Sequence, residues 1–124
     1  MAAPPDRVPP ESLLPLRPVE ALILTMLAGG DRHGYGIRQD IIEHTGGAVQ
    51  LEAGNLYRHV HRLEGDGLVE ESGRRPAADA DDERRRYYRI TPLGADAAAL
   101  EARRLRALLA TPAVRTRLLR PEPV

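Results

Sequence analysis

Cysteine, phenylalanine, tryptophan and lysine are all absent from these 124 residues. Each absence excludes something. Without cysteine there is no disulfide and no thiolate to act as nucleophile or metal ligand, and a reducing cytoplasm is the expected setting. Without Phe or Trp, and with only four Tyr, the core must be built from Leu, Val, Ile and Ala, which suits helices packing on helices. No apolar run approaches the ~20 residues of a membrane-spanning helix, so no membrane partner is expected. Pro4, Pro5 and Pro9 stand where a signal peptide would carry its apolar segment, so none is expected here. The basic charge is entirely arginine, 18 residues against 18 acidic ones, for a formal net charge of zero. Such a chain lacks the basic field that marks many nucleic-acid-binding proteins, although Arg is the better cation for phosphate and guanine.

What is present fits one domain with a modest core. Met1 to Leu16 reads as a flexible arm, because Pro4, Pro5, Pro9, Pro10 and Pro15 deny it a continuous helix; a helical turn around Glu11 to Leu14 is compatible with them. The first firm helix is expected from Pro18 to Ala28, ended by Gly29-Gly30. Val19, Leu22, Ile23, Met26 and Leu27 give it a broad apolar face, with Leu24 on another side. More than one neighbour must cover such a helix, and a partner subunit is a candidate for the second cover. Asp31 to Gly34 reads as a loop, Tyr35 to Thr45 as a second helix, and Val49 with Leu51 as a short strand or extended link.

From Glu52 to Thr91 the pattern predicts a helix, a strand, a polar turn and a second strand. Leu56, Val60 and Leu63 recur at helical spacing, and Asn55, Arg58, His61 and Arg62 lie opposite them. Gly67 is a stop signal, and Leu68-Val69 and Tyr87, Tyr88, Ile90 are short β-prone runs. A helix followed by such a hairpin is the second half of a winged helix. Thr91 then caps a last helix with Pro92 at its first position, running to Leu109. Leu93, Ala97, Leu100 and Leu108 form its apolar stripe. At ~1.5 Å per residue it spans about 25 Å, more than a small domain covers alone. A homodimer built from terminal helices is therefore expected, with Leu22, Met26, Leu93, Ala97, Leu100 and Leu108 in its seam. Thr111-Pro112 breaks the helix, and Ala113 to Arg120 has room for a further turn or two.

Three stretches, HGYGI (His33 to Ile37), NLYRHVHRLEGDGLV (Asn55 to Val69) and RRRYYRITPLG (Arg84 to Gly94), stand in an order and spacing that resembles the PadR family of bacterial winged-helix transcriptional regulators, in its short subfamily with a single C-terminal helix. The resemblance covers roughly Pro18 to Leu109. It implies a homodimer on a pseudo-palindromic double-stranded operator, usually repressing, and relieved by a small molecule or another signal. Where the family often has Thr before the Leu-Tyr pair, this chain has Asn55, and where it has proline after that Tyr, this chain has Arg58. Some short-subfamily members stack flat aromatic drugs between tryptophans, which this chain lacks.

The fold class expected is thus mainly α with a small β-hairpin (α+β). An arm (1–16) precedes a winged helix-turn-helix DNA-binding domain (17–91), a C-terminal dimerisation helix (92–110) and a tail (111–124). Asn55 is suited to adenine N6/N7 and Arg58 to guanine O6/N7 in the major groove. His61 and Arg62, further along, are suited to phosphate. Tyr57 has two readings, a phosphate contact or core packing, and so has Tyr35, a backbone contact or a half-buried packing ring. In the wing, Arg84 and Arg85, with Arg74, Arg75 and Arg86, would meet minor-groove or phosphate oxygens. Between Glu52 and Thr91 eight Arg face nine acidic residues, so affinity must come from local placement.

Catalysis has no such support. There is no phosphate loop, no nucleophile elbow and no His–carboxylate pair near a Ser. His59 and His61 diverge on a helix, and the Asp79, Asp81, Asp82, Glu83 cluster lacks calcium-loop spacing, so no enzyme, metal or cofactor is expected. The competing readings are a winged-helix protein-interaction module without operator binding, and a ligand sensor whose apolar dimer seam holds a small hydrophobic effector.

Overall fold

The computed structural model describes residues 8–73 and 86–120. A 3₁₀ turn (Pro10–Leu13) leads into α1 (Pro18–Ala28), β1 (Arg32–His33), α2 (Gly34–His44), α3 (Ala53–Gly65), β2 (Val69–Glu71), β3 (Tyr87–Ile90), α4 (Pro92–Leu109) and α5 (Pro112–Arg117). Helix starts follow the local chemistry. Proline opens α1, α4 and α5, where its missing N–H costs nothing. Thr91 Oγ1 accepts from the Gly94 N–H at 3.0 Å and caps α4 as expected, while His33 Nδ1 accepts from the Gly36 N–H at 2.9 Å and caps α2.

The strands form an antiparallel sheet of order β1-β3-β2, with Val69 opposite Ile90 and Arg32 opposite Tyr88. One expectation changes here, and of the two readings of Val49 and Leu51 the extended link is the one observed. Arg32–His33, read as loop, is the third strand, because β3 has two free edges and β2 covers only one. Val49 and Leu51 make no strand. Their segment is an extended link held by Thr45 Oγ1, which accepts from the Val49 N–H at 3.1 Å, and by Arg38, whose Nε donates to the Leu51 carbonyl.

Ile23, Leu24 and Leu27 of α1, Ile37 and Ile41 of α2, Leu56, Val60 and Leu63 of α3, Leu68 and Val69, Tyr88 and Ala97 fill one core. All-round apolarity in α1 is met within the chain, since α2, α3, α4 and β3 surround it. A partner subunit is not required to cover Leu24 or Met26.

The Pro10–Leu13 turn, within the stretch expected to be a loose arm, packs on α4. Leu13 and Leu16 rest against the core, and the Leu16 N–H donates to Glu101 Oε2 at 2.7 Å. Glu101, at 4 % exposure, is an acid buried on α4. The Arg104 guanidinium hydrogen-bonds it and holds its carboxyl below the ordinary value; the Leu16 N–H acts the same way, and burial opposes them.

The root of the wing is fastened to α4. Gly67 takes a φ of 79°, the left-handed turn expected after the α3 stop. Its carbonyl accepts from Thr91 Oγ1 at 2.6 Å, and the Leu68 carbonyl accepts from the Thr91 N–H at 3.0 Å. Gly94 completes this clasp: a Cβ there would lie 2.1 Å from the Leu68 carbonyl oxygen, so only glycine lets α4 approach β2 so closely.

Candidate nucleic-acid interface

Helix α3 has two chemically distinct faces. Leu56, Val60 and Leu63 are buried at 1 % exposure or less. Asn55, Arg58, His61 and Arg62 are exposed on the other side, as the periodicity predicts. Arg58 Nη2 donates to Asn55 Oδ1 at 2.7 Å, joining residues one turn apart. Arg62 stands differently. Its Nε lies 3.8 Å from Glu20 Oε2, so its charge is shared with an acid of α1.

Glu20 is the residue sequence reasoning missed. At 4 % exposure it is buried, yet it carries a carboxyl group with a histidine and two arginines around it. His59 Nδ1 is 2.8 Å from Oε2, and Arg17 Nη1 is 3.8 Å from Oε1. A buried acid is retained only where partners compensate its lost hydration, and here the compensation ties α3 to α1. The signal available in the sequence was position: Glu20 falls three and four residues before the buried Ile23 and Leu24, on the apolar side of the helix.

Both tyrosines are placed. Tyr57 is 9 % exposed and packs beneath the start of α2, where a Cβ on Gly34 would come within 2.5 Å of its hydroxyl. Of its two readings the structure gives the packing one. That contact explains glycine in the HGYGI stretch. Tyr35 is 48 % exposed at the first turn of α2, its ring stacked on His33 with centroids 6.3 Å apart and its hydroxyl accepting from Gln39 Nε2 at 2.6 Å. The His33 ring also meets Tyr87 of β3 edge-on at 5.4 Å, so the start of α2 and the sheet present one continuous surface.

Arg74, Arg75, Arg84 and Arg85 lie outside the described residues, as do Asp79, Asp81, Asp82 and Glu83. At the base of the wing Arg89 Nε pairs with Glu70 Oε1 at 2.8 Å, and Arg86 Nε stands 4.0 Å from Glu71 Oε1. Cross-strand acids thus neutralise the arginines there.

The seam expected on the terminal helices is partly corrected. Ala97, fully buried, and Met26, at 8 % exposure, belong to the chain's own core and have no surface to give a partner. Leu93 and Leu22 pack against the same core. Leu100 is half-buried, and Leu108 is 51 % exposed. The apolar surface lies further along: Leu105, Leu108 and Leu109 of α4 and Leu118 and Leu119 after α5 are exposed. Between these helices runs an open groove of about 470 Å³, lined by Leu105, Leu109, Leu119 and the stems of Arg106 and Arg115. Among the described residues no helix is long and apolar enough to cross a membrane.

The chain matches the family model described as the transcriptional regulator PadR-like family over residues 23–100. It is 35 % identical over 86 residues to the transcriptional regulator Rv3488 of Mycobacterium tuberculosis, covering 69 % of this chain and 74 % of that one. Among solved structures it is similar to H. salinarum RosR, at a TM-score of 0.63 and 28 % identity, over 86 % of this chain and 90 % of that one. A PadR-like transcriptional regulator from Bacillus cereus has the same fold, with a TM-score of 0.63, 19 % identity and coverage of 90 % and 96 %.

Proposed function

Because the chain belongs to the PadR-like family of transcriptional regulators, and is not an enzyme, we propose that it is a homodimeric repressor reading a pseudo-palindromic operator through α3. The observation that carries this reading is the division of α3: a fully buried apolar edge fixes the helix, and Asn55, Arg58 and His61 stand exposed on the opposite edge. Such a helix presents side chains to a major groove on a rigid support. Tyr35 at the start of α2 stands exposed and would contact the backbone, a role the sequence also suggests for the arginines of the wing, while Arg62 reaches phosphate only by exchanging its long contact with Glu20.

The dimer is assembled through the far half of α4 and through α5, where the exposed leucines gather. Two copies related by a twofold axis would then place their α3 helices on successive half-sites. The α4–α5 groove is where a small hydrophobic effector would act, since filling it changes the packing that sets the separation of the α3 helices.

Fluorescence anisotropy with DNA from upstream of the chain's own gene, over a salt series and against unrelated DNA, tests the proposal. Nanomolar binding to one site, a steep salt slope and at least ~10³ preference over the control are expected. Equal, weak binding to both would overturn operator recognition and favour a sensor or protein-interaction module.

A further inference from the structure

Building on the DNA-binding reading above, we infer that Asn55 and Arg58 act as one unit selective for guanine, in which Asn55 positions Arg58 and reads no adenine of its own. The bond from Arg58 Nη2 to Asn55 Oδ1, at 2.7 Å, takes one lone pair of the Asn amide oxygen and turns that oxygen toward the guanidinium. Adenine presents an acceptor at N7 and a donor at N6, so an Asn that reads it must offer both a donor and an acceptor. With Oδ1 turned to the guanidinium, Asn55 offers the groove its Nδ2 donors, and Arg58 has donors alone. A face made only of donors matches the edge with two adjacent acceptors, guanine O6 and N7.

Geometry and charge point the same way. A guanidinium reads guanine with two parallel N–H bonds, so its plane must be held before the bases arrive. A bond one turn back along the helix supplies that orientation and reduces the freedom Arg58 loses on binding. Among the described residues no acid neutralises Arg58, whereas Arg62 is drawn toward Glu20 at 3.8 Å and Arg89 is paired with Glu70 at 2.8 Å. Arg58 is therefore the arginine on this face of α3 whose charge projects outward undiminished. Both side chains are exposed, so substituting them leaves the core untouched.

Selection from a random duplex DNA pool by the wild type, Arg58→Ala, Asn55→Ala and Asn55→Asp tests the inference, followed by anisotropy on the wild-type consensus. Arg58→Ala and Asn55→Ala are expected to lose the same guanine in each half-site, each weakening binding roughly 5- to 150-fold. The double alanine variant should be no weaker than Arg58→Ala alone, since a positioning residue has nothing left to position. Asn55→Asp keeps an acceptor for Arg58 and should retain the guanine preference at lower overall affinity. The pairing is overturned if Asn55→Ala loses a different base while keeping the guanine, if the two costs multiply, or if Asn55→Ala changes nothing. A wild type that enriches no sequence instead removes operator recognition itself.

Discussion

Replacing Glu20 by Ala should destabilise the fold by about 1.5–3 kcal/mol. The magnitude follows from what surrounds the carboxylate. A hydrogen bond to an ionised group is worth about 1.5–3 kcal/mol, and His59 makes one at 2.8 Å. Loss of one buried methylene adds about 0.8 kcal/mol. Against this, removing the acid relieves the cost of keeping a carboxylate out of water. Breaking a fully buried pair costs ~3–5 kcal/mol because a charge is stranded. Here the abandoned partners are not stranded: the side chains of His59, Arg62 and Arg17 are 25 %, 42 % and 59 % exposed and rehydrate. The lower range therefore applies. Equilibrium urea unfolding followed by far-UV circular dichroism, at one fixed protein concentration because the stability of the proposed dimer would depend on it, measures the change. Glu20→Gln, which keeps an acceptor for His59 but no charge, should fall between wild type and Ala. In a cycle with His59→Ala, the two losses should combine to less than their sum. A Glu20→Ala protein within ~0.5 kcal/mol of wild type, or strict additivity with His59→Ala, would refute the view that this acid fastens α3 to α1.

Other substitutions separate the remaining contacts. Gly94→Ala in an open helix would gain about 1 kcal/mol of helix propensity, but the Leu68 carbonyl oxygen 2.1 Å from the new Cβ forces α4 outward. The net effect should be a loss of ~1–3 kcal/mol in thermal or urea unfolding, and a stabilised variant would disprove the tight clasp. Leu108→Asp, at a site 51 % exposed, should leave secondary structure intact and convert the proposed dimer to monomer in sedimentation; a wild-type-like dimer would remove the far half of α4 from the proposed interface. For Glu101, the folded carboxyl is more acidic than its ordinary value of 4.5, so the unfolded chain takes up protons first as pH falls. Its stabilisation is complete above that ordinary value and disappears as pH drops through the lowered one. Wild type should accordingly be more stable than Glu101→Gln at neutral pH, with the gap closing from about pH 5 downward; a gap independent of pH would contradict the assignment.

The parts of this fold that could be read from the sequence are those that local physics sets. The 3.6-residue recurrence of Leu56, Val60 and Leu63, the Thr91-Pro92 start and Gly67 each act within a turn or two of chain, and helices and hairpin fell where these signals put them. What was illegible depends on distant partners. Arg32–His33 has no strand pattern of its own and becomes β1 because Tyr87 and Tyr88 offer an edge. Glu101 finds its partner at Leu16, 85 residues away, and Glu20 finds His59, 39 away, so neither acid shows in a local window that it is buried. Ala97 shares the stripe of Leu108, yet sits about three turns nearer the clasp, where the core is still present to absorb it. The same stripe therefore serves folding at one end and is bare at the other. The bond between Asn55 and Arg58 is local, but nothing in residue spacing distinguishes a pair that touch from two that point independently at bases.

The clasp at Thr91 has a mechanical consequence. Gly67 and Leu68 are joined to α4 by two hydrogen bonds and a glycine-sized gap, and they are also the residues through which α3 passes into β2. Helix α4, at 18 residues about 27 Å long, is thus a lever whose fulcrum is the exit of α3, the helix proposed to face DNA. Were α4 to move as a rigid rod, a tilt of roughly 5° at that fulcrum would shift the far, leucine-bearing end by about 2 Å, so the packing of that tip and the angle of α3 would be mechanically linked.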